Sequence, residues 1–152
     1  MPARTVRISL LDVNVLIALA WPNHVHHCQA MDWFKHHHSA GWATCPVTQS
    51  GFVRVSSNPQ VIDQQMTPRE AMVHLRKIIS FRHHVFWADD TPFAAADFVD
   101  ETKLLSYRQV SDAHLLGIVL RHGGRLATLD RGIAALVPEG FSQEEVLCVI
   151  SG

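Results

Sequence analysis

Several features that would identify a class of protein are scarce or missing in this chain of 152 residues. Its three cysteines are an odd number without the spacing of a metal site, which predicts buried thiols in a reducing compartment. The chain shows no signal-peptide core and no run of about 18 apolar residues, so we expect a cytoplasmic protein without a membrane span. It also has no Gly-x-Gly-x-x-Gly loop, which weighs against a nucleotide-binding or phosphatase-like α/β domain.

Charge is scarce as well. Charged residues make up 18% of the chain and the formal net charge is −1. Composition therefore gives no electrostatic case for nucleic-acid binding, and any such contact must come from local patches. Hydrophobic residues make up 47%, which predicts a folded, apolar globule. The length fits one domain with a real core, so we expect residues 1–152 to form a single domain.

Apolar runs alternate between the strand pattern and the helix pattern along the chain. The predicted strands cover residues 8–11, 42–45, 84–88, 126–129 and 146–150. Helices are predicted between them, most clearly over residues 24–38, 67–80, 91–105 and 110–122. Such βα alternation predicts an α/β fold with a parallel sheet and helices on both of its faces.

Three aspartates lie where a predicted strand ends or a predicted helix begins. Asp12 and Asp130 each follow an apolar strand, and Asp112 opens an apolar helix. A carboxylate at the end of a buried strand is costly unless it lies at the rim of the sheet and has a partner. Sites in parallel sheets lie at the carboxyl ends of the strands. Each aspartate alone is equally well explained as a helix cap, but together they predict one shared site, where a hard divalent cation would relieve their repulsion.

The order of these motifs resembles a known family. Asp12-Val13-Asn14 is followed by Asp112-Ala113, then by Gly123-Gly124 and the run 125–131. This set resembles the PIN domain, and more narrowly the VapC-type toxins of bacterial VapBC toxin–antitoxin pairs. The segments 24–34 and 44–54 add to the resemblance, which spans about residues 8–149. It implies a PIN-like three-layer α/β/α sandwich around a central, mainly parallel sheet of about five strands.

The resemblance also implies a function. It points to an endoribonuclease toxin that uses Mg²⁺ or Mn²⁺ to hydrolyse RNA phosphodiesters, forms a homodimer and is inhibited by a cognate VapB-type antitoxin. Asp12, Asp112 and Asp130 match the metal-binding and catalytic acids of the family. Thr128 matches the hydroxyl residue before the last acid and is expected to orient a water or a carboxylate. The supporting residues that the resemblance implies are Asn14, Gln49 and Arg131, the last of which is equally well explained as a solvated arginine.

One position departs from the family pattern. Gln49 stands where the family's second acid is expected, often a glutamate that opens the helix after the second strand. An amide oxygen can accept a hydrogen bond from metal-bound water but brings no charge. We therefore expect weaker metal affinity or reliance on a single ion. An alternative hypothesis is a PIN-fold RNA- or protein-binding module with weak or no nuclease activity. Asp89 and Asp90, which end a predicted strand, are reserve candidates for the missing acid.

The 11 histidines raise the possibility of zinc. His24, His27 and Cys28 have a spacing that suits ligands on a helix. Surface histidines on a long helix are the better explanation, because adjacent helical residues point in different directions. His114, two residues after Asp112, is expected on another face of its helix. Asp97, Asp100 and Glu101 have the spacing of one solvated helix face.

Overall fold

Five short strands form one sheet in the computed structural model, which describes residues 6–61, 66–95 and 97–150. Every neighbouring pair of strands is parallel, and their order across the sheet is β3-β2-β1-β4-β5. The strands are β1 (Ser9–Leu11), β2 (Trp42–Thr44), β3 (His84–Phe86), β4 (Arg125–Thr128) and β5 (Leu147–Val149). The α/β prediction with a parallel five-stranded sheet is confirmed.

Helices cover both faces of this sheet. They are α1 (Val13–Ala20), α2 (His27–His37), α3 (Pro46–Ser56), α4 (Pro68–Ile79), α5 (Val110–Arg121) and α6 (Gln143–Val146). Successive strand residues point to opposite faces, so Leu10 packs with Leu115 and Val119 of α5 while Leu11 packs on the other side. The second core joins Leu11 to α1 and α3 through Leu16 and Phe52. These two cores make the three layers of the sandwich.

Two local features, one at the start of α4 and one between α5 and β4, have clear physical causes. Thr67 and Glu70 form the predicted capping box: each side chain accepts a hydrogen bond from the other's backbone N–H, at 3.1 Å and 3.3 Å. Gly124 follows α5 where the chain enters β4. A Cβ there would lie 2.2 Å from the Trp87 ring and 2.7 Å from the carbonyl oxygen of Ile8. Glycine is therefore required by close approach at this position.

The predicted helix over residues 91–105 is wrong. Its described residues form separate 3₁₀ turns at Phe93–Ala95 and Glu101–Lys103, and residue 96 lies outside the described part. Asp100 explains the break, because its carboxylate accepts hydrogen bonds from the backbone N–H of Thr102 at 3.1 Å and from its hydroxyl at 2.6 Å. Such local bonds compete with a helix. The expected acidic helix face therefore does not form.

Two smaller predictions also need correction. Helix α2 begins at His27, not at His24, because a turn comes first, in which the backbone N–H of His26 donates to the His24 ring at 3.0 Å. All three cysteines are free thiols, but Cys28 is exposed while Cys45 is buried. In the described part of the chain, no helix is long and apolar enough to span a membrane.

Candidate functional site

Asp12 lies where β1 ends and α1 begins. Its backbone N–H donates to the carbonyl of Ala127 in β4 at 3.0 Å, which fixes the two strand ends side by side. Its side chain is only 7% exposed, and its Oδ1 accepts from the backbone N–H of Val13 at 2.7 Å. Asp12 therefore caps α1 and also places a nearly buried carboxylate at the carboxyl edge of the sheet.

Thr128, the last residue of β4, connects Asp12 to Asp130. It is completely buried. Its hydroxyl donates to Oδ2 of Asp12 at 2.8 Å and accepts from the backbone N–H of Asp130 at 3.0 Å. Both carboxylate oxygens of Asp12 are thus held by donors of this chain. The hydroxyl residue predicted before the last acid orients the first acid.

The other two aspartates complete the group. Asp130 is exposed, and its Oδ1 accepts from the backbone N–H of Gly132 at 2.8 Å, capping the 3₁₀ segment Arg131–Leu136. Asp112 lies in the first turn of α5. Burial raises the pKa of Asp112 to about 6, with further contributions from the charges of Asp12 and Asp130. The structure therefore brings the three predicted carboxylates into one electrostatic site.

Asp12 has a raised pKa for a similar reason. Burial raises it, and the charge of Asp130 adds to the effect. The hydrogen bonds from Thr128 and from the backbone of Val13 act in the opposite direction. None of the ion pairs among the described residues involves Asp12, Asp112 or Asp130. The negative charge at this edge is consequently left without a cation from the described chain.

The donor set fits a hard divalent cation that keeps part of its water shell. Carboxylate oxygens suit Mg²⁺ and Mn²⁺, and Mg²⁺ usually takes one or two carboxylates while retaining waters. In the described ranges, no three histidine, cysteine or acidic side chains are close enough to enclose a metal ion. The zinc site considered for the histidines is therefore not formed there. The three aspartates are likewise not close enough in this arrangement to enclose an ion together, so direct ligation by all three stays a prediction.

Gln49 lies in the first part of α3 and bonds to a different group. Its amide Nε2 donates to the hydroxyl of Thr44 at 3.0 Å, and that hydroxyl lies 2.7 Å from Nε2 of His84. Desolvation lowers the pKa of His84, which favours the neutral ring. Among the described residues, Gln49 has no hydrogen bond to the aspartates. Sequence reasoning missed Thr44 and His84, although Thr44 ends β2 just as Thr128 ends β4.

The remaining candidates lie outside the carboxylate group. Asp89 is 2.9 Å from the His114 ring, and Asp90 is 3.8 Å from Arg121. Both reserve candidates are therefore engaged with partners on α5, and the idea that one of them replaces the missing acid stays a prediction. His114 does leave the site on another face of α5, as expected. The supporting candidates Asn14 on α1 and Arg131 after β4 are both exposed.

Comparison with known sequences gives close relatives. Ribonuclease VapC39 of Mycobacterium tuberculosis strain H37Rv is 47% identical over 133 residues, which cover 88% of this chain and 96% of the relative. Ribonuclease VapC38 of that strain is 42% identical over 132 residues, covering 87% and 92%. Ribonuclease VapC44 of that strain is 36% identical over 138 residues, covering 91% and 96%. No family model matches the chain.

Two solved structures share the fold. PAE2754 from Pyrobaculum aerophilum superposes with a TM-score of 0.55 at 22% identity, covering 86% of this chain and 79% of that one. FitAB bound to an IR36 DNA fragment gives a TM-score of 0.57 at 15% identity, covering 93% and 94%. These likenesses confirm the PIN fold that the motif order predicted. By sequence, fold and motif order, the chain belongs to the VapC ribonucleases of the PIN-domain family.

Proposed function

We propose that the chain is a Mg²⁺- or Mn²⁺-dependent endoribonuclease that hydrolyses RNA phosphodiesters, the toxin of a type II toxin–antitoxin system. The observation that carries this proposal is the Thr128 hydroxyl, which bonds to both Asp12 and Asp130 at the carboxyl edge of the sheet, where the charges of both also act on Asp112. The relatives are named ribonucleases, and the chain matches more than nine-tenths of their length, which supports the proposal.

The roles of the residues follow from their positions. A divalent cation bound here would supply an activated water, relieve charge on the phosphate and stabilise the leaving oxygen. Asp12 and Asp112 would hold it, with Asp130 acting directly or through water. Thr128 keeps the Asp12 carboxylate in one orientation through its 2.8 Å hydrogen bond. Fixing such a group in advance avoids reorganisation during the reaction.

Three supporting residues would act around this centre. Arg131 begins the 3₁₀ segment after Asp130 and is exposed, so its guanidinium can reach a flanking phosphate of the RNA. Asn14 is exposed in the first turn of α1, two residues after Asp12. Gln49 donates through Nε2 to Thr44, which leaves its Oε1 as an acceptor for a bound water.

The test is cleavage of a mixed RNA pool with Mg²⁺ or Mn²⁺. Asp12→Asn and Asp112→Asn remove one charge each without changing shape, and we expect each to slow cleavage by about 100- to 1000-fold. Asp32→Asn is the matched control, because Asp32 is an exposed aspartate on α2. Metal-dependent cleavage that survives both site substitutions would refute the proposed site.

A second outcome would favour the binding-module hypothesis. If the wild-type chain binds RNA but cuts none of the pool with either metal, while Gln49→Glu cuts it, the missing fourth charge limits the chemistry. This hypothesis rests on the neutral amide of Gln49, which brings no charge to the site. Cleavage by the wild-type chain at a rate that Gln49→Glu does not exceed would rule that hypothesis out.

We also propose that a VapB-type antitoxin binds a groove between α1, α2 and α4. This groove of about 390 Å³ is lined by apolar residues that include Phe34, Trp42 and Phe81. Lys35 and Lys77 also line it. Such a surface suits an apolar segment flanked by acidic residues. The homodimer and the cytoplasmic location implied earlier stay predictions.

Phe81→Asp tests the groove. We expect the variant to keep the cleavage rate of the wild-type chain but to escape inhibition by its cognate antitoxin, because a carboxylate would replace an exposed apolar contact. The measurement is cleavage with increasing antitoxin, with Phe86→Asp on β3 as the control. Equal inhibition of the wild-type chain and Phe81→Asp would contradict the assignment of this groove.

A further inference from the structure

An exposed aromatic turn lies directly before the helix that carries Asp112. The apolar side chain of Leu105 is 86% exposed, and Tyr107, with its large aromatic ring, is 81% exposed. The 3₁₀ turn Tyr107–Gln109 runs without a break into α5, which begins at Val110. Exposed aromatic groups beside a proposed catalytic centre are candidates for contact with substrate.

The turn is held firmly in place by its own hydrogen bonds. The side-chain oxygen of Gln109 accepts from the backbone N–H groups of Leu105 at 2.6 Å and Ser106 at 3.0 Å. The Ser106 hydroxyl accepts from the backbone N–H of Arg108 at 3.3 Å, which completes a capping box. Tyr107 is therefore presented to solvent on a preorganised turn, which lowers the entropy cost of binding a ligand.

Arg108 adds a positive charge to this surface. Its guanidinium carbon lies 5.7 Å from the centre of the Tyr107 ring, and its Nε lies 3.4 Å from the tyrosine hydroxyl. An aromatic ring with an adjacent guanidinium offers stacking for a base and a donor for a phosphate. The patch has the chemistry of a nucleotide contact, and its positive charge distinguishes it from a purely apolar protein interface.

Tyr107 lies close to Asp112 along the chain but on a different side of the helix. It precedes Asp112 by two residues of 3₁₀ turn and three of α-helix, which amounts to roughly 8 Å along the axis and about half a turn of rotation. We propose that Tyr107 and Arg108 form a subsite for one unpaired RNA nucleotide next to the scissile phosphate, with the base stacked on Tyr107 and its phosphate on Arg108. The subsite rests on the proposed function, because it needs an RNA substrate at the carboxylates.

The chain has a single tyrosine, so 3-fluorotyrosine places one ¹⁹F label at Tyr107. The experiment adds a single-stranded oligoribonucleotide of mixed sequence to the labelled, full-length chain in EDTA, where metal-dependent cleavage cannot occur. We expect the ¹⁹F signal to shift and saturate with the RNA. A signal that stays unchanged at saturating RNA would overturn the subsite. A signal that moves with protein concentration and ignores RNA would overturn it in favour of an interface between copies.

Substitutions separate stacking from general apolar contact. Tyr107→Leu should weaken RNA binding by roughly 5- to 100-fold, whereas Tyr107→Phe should stay within about twofold of the wild-type chain. Phe86→Leu is the control, because Phe86 is an exposed aromatic residue on β3, two strands from β1. Equal binding by Tyr107→Leu and Tyr107→Phe would refute base stacking.

Arg108→Gln tests the phosphate contact. It should reduce the slope of log affinity against log salt by about 0.7, the value for one contact to single-stranded nucleic acid. Arg69→Gln on α4 is the matched control and should leave the slope unchanged. An unchanged slope in Arg108→Gln would refute the phosphate contact. Because binding is measured without metal, these results are independent of whether Asp12→Asn or Asp112→Asn abolishes cleavage.

Discussion

Two buried threonines end the two strands that flank β1, and their surroundings differ in charge. Thr128 at the end of β4 donates to the Asp12 carboxylate and accepts from the backbone of Asp130. Thr44 at the end of β2 accepts from the Gln49 amide and lies beside the neutral ring of His84. The first network contains unneutralised carboxylates, whereas the second is neutral and its hydrogen bonds are internal. Of the two, the first has the uncompensated charge that a cation would neutralise, and it is where we place the chemistry.

Replacing each threonine by valine should distinguish the charged network from the neutral one most clearly. Thr128→Val leaves Oδ2 of Asp12 without its donor, and we expect cleavage to fall by about 10- to 100-fold, as for other groups that orient metal ligands. Thr44→Val should change cleavage by less than about threefold, because its network contains no metal ligand. Both should lower the free energy of unfolding by about 1–3 kcal/mol, since each leaves buried polar groups unpaired.

Cleavage rates and urea unfolding of the two variants measure these effects. Similar losses of stability with unequal losses of cleavage would support the division into a charged and a neutral network. Equal losses of cleavage would contradict it, and would place Thr44 in the reaction machinery together with Thr128.

The charged network should also make stability depend on pH. The pKa of Asp112 is raised from its ordinary 3.8 to about 6 in the folded chain, so the folded state binds more protons than the unfolded state between these values. Stability contributed by this group is therefore present at low pH and is lost as pH rises through about 6. Asp112→Asn replaces the titrating carboxyl by a neutral amide and therefore removes this pH-dependent loss of stability.

Thermal unfolding without metal tests this expectation. Asp112→Asn should gain in melting temperature relative to the wild-type chain as pH rises from about 4 to 7, by a few degrees at most because the group is partly exposed. Adding Mg²⁺ should stabilise the wild-type chain more than the variant. A melting-temperature difference that does not change with pH would show that neither burial nor the neighbouring charges destabilise the Asp112 carboxylate.

The sequence predicted the charged network better than the neutral one for a physical reason. Asp12 and Asp130 each end an apolar strand, and the carboxyl ends of adjacent parallel strands necessarily meet. The Thr44–His84 contact joins residues 40 apart through two side chains, and no local pattern indicates it. The sequence shows Gln49 as a departure from the family pattern, but no local pattern indicates its hydrogen bond to Thr44.

In the segment 91–105, by contrast, a clear local pattern predicts a helix that does not form. Its apolar spacing is helical, yet Asp100 closes a local turn through two hydrogen bonds and the chain breaks into separate turns. Helix periodicity measures which residues can share a face, whereas local side-chain bonds decide whether the backbone becomes helical. The five strands and helices α2, α4 and α5, by contrast, agree with the sequence because their buried faces and caps indicate the same elements.

The smallest expected effect comes from giving the neutral network a charge. Gln49→Glu replaces a donor by an acceptor beside the Thr44 hydroxyl. That hydroxyl has one proton, so it cannot donate to both Glu and His84. We therefore expect the His84 ring to change from acceptor to donor at Nε2, which ¹⁵N chemical shifts of the imidazole report directly. The cost in unfolding free energy should be about 1 kcal/mol or less.

Gln29→Glu is the matched control, because Gln29 is 3.2 Å from the ring of His26 on the surface and far along the chain from His84. It makes the same change of charge and should leave the His84 shifts unchanged. If Nε2 of His84 already carries a proton in the wild-type chain, the Thr44 hydroxyl accepts from both His84 and Gln49. The expected change of the His84 ring from acceptor to donor would then be absent, and unchanged ¹⁵N shifts in Gln49→Glu would contradict it.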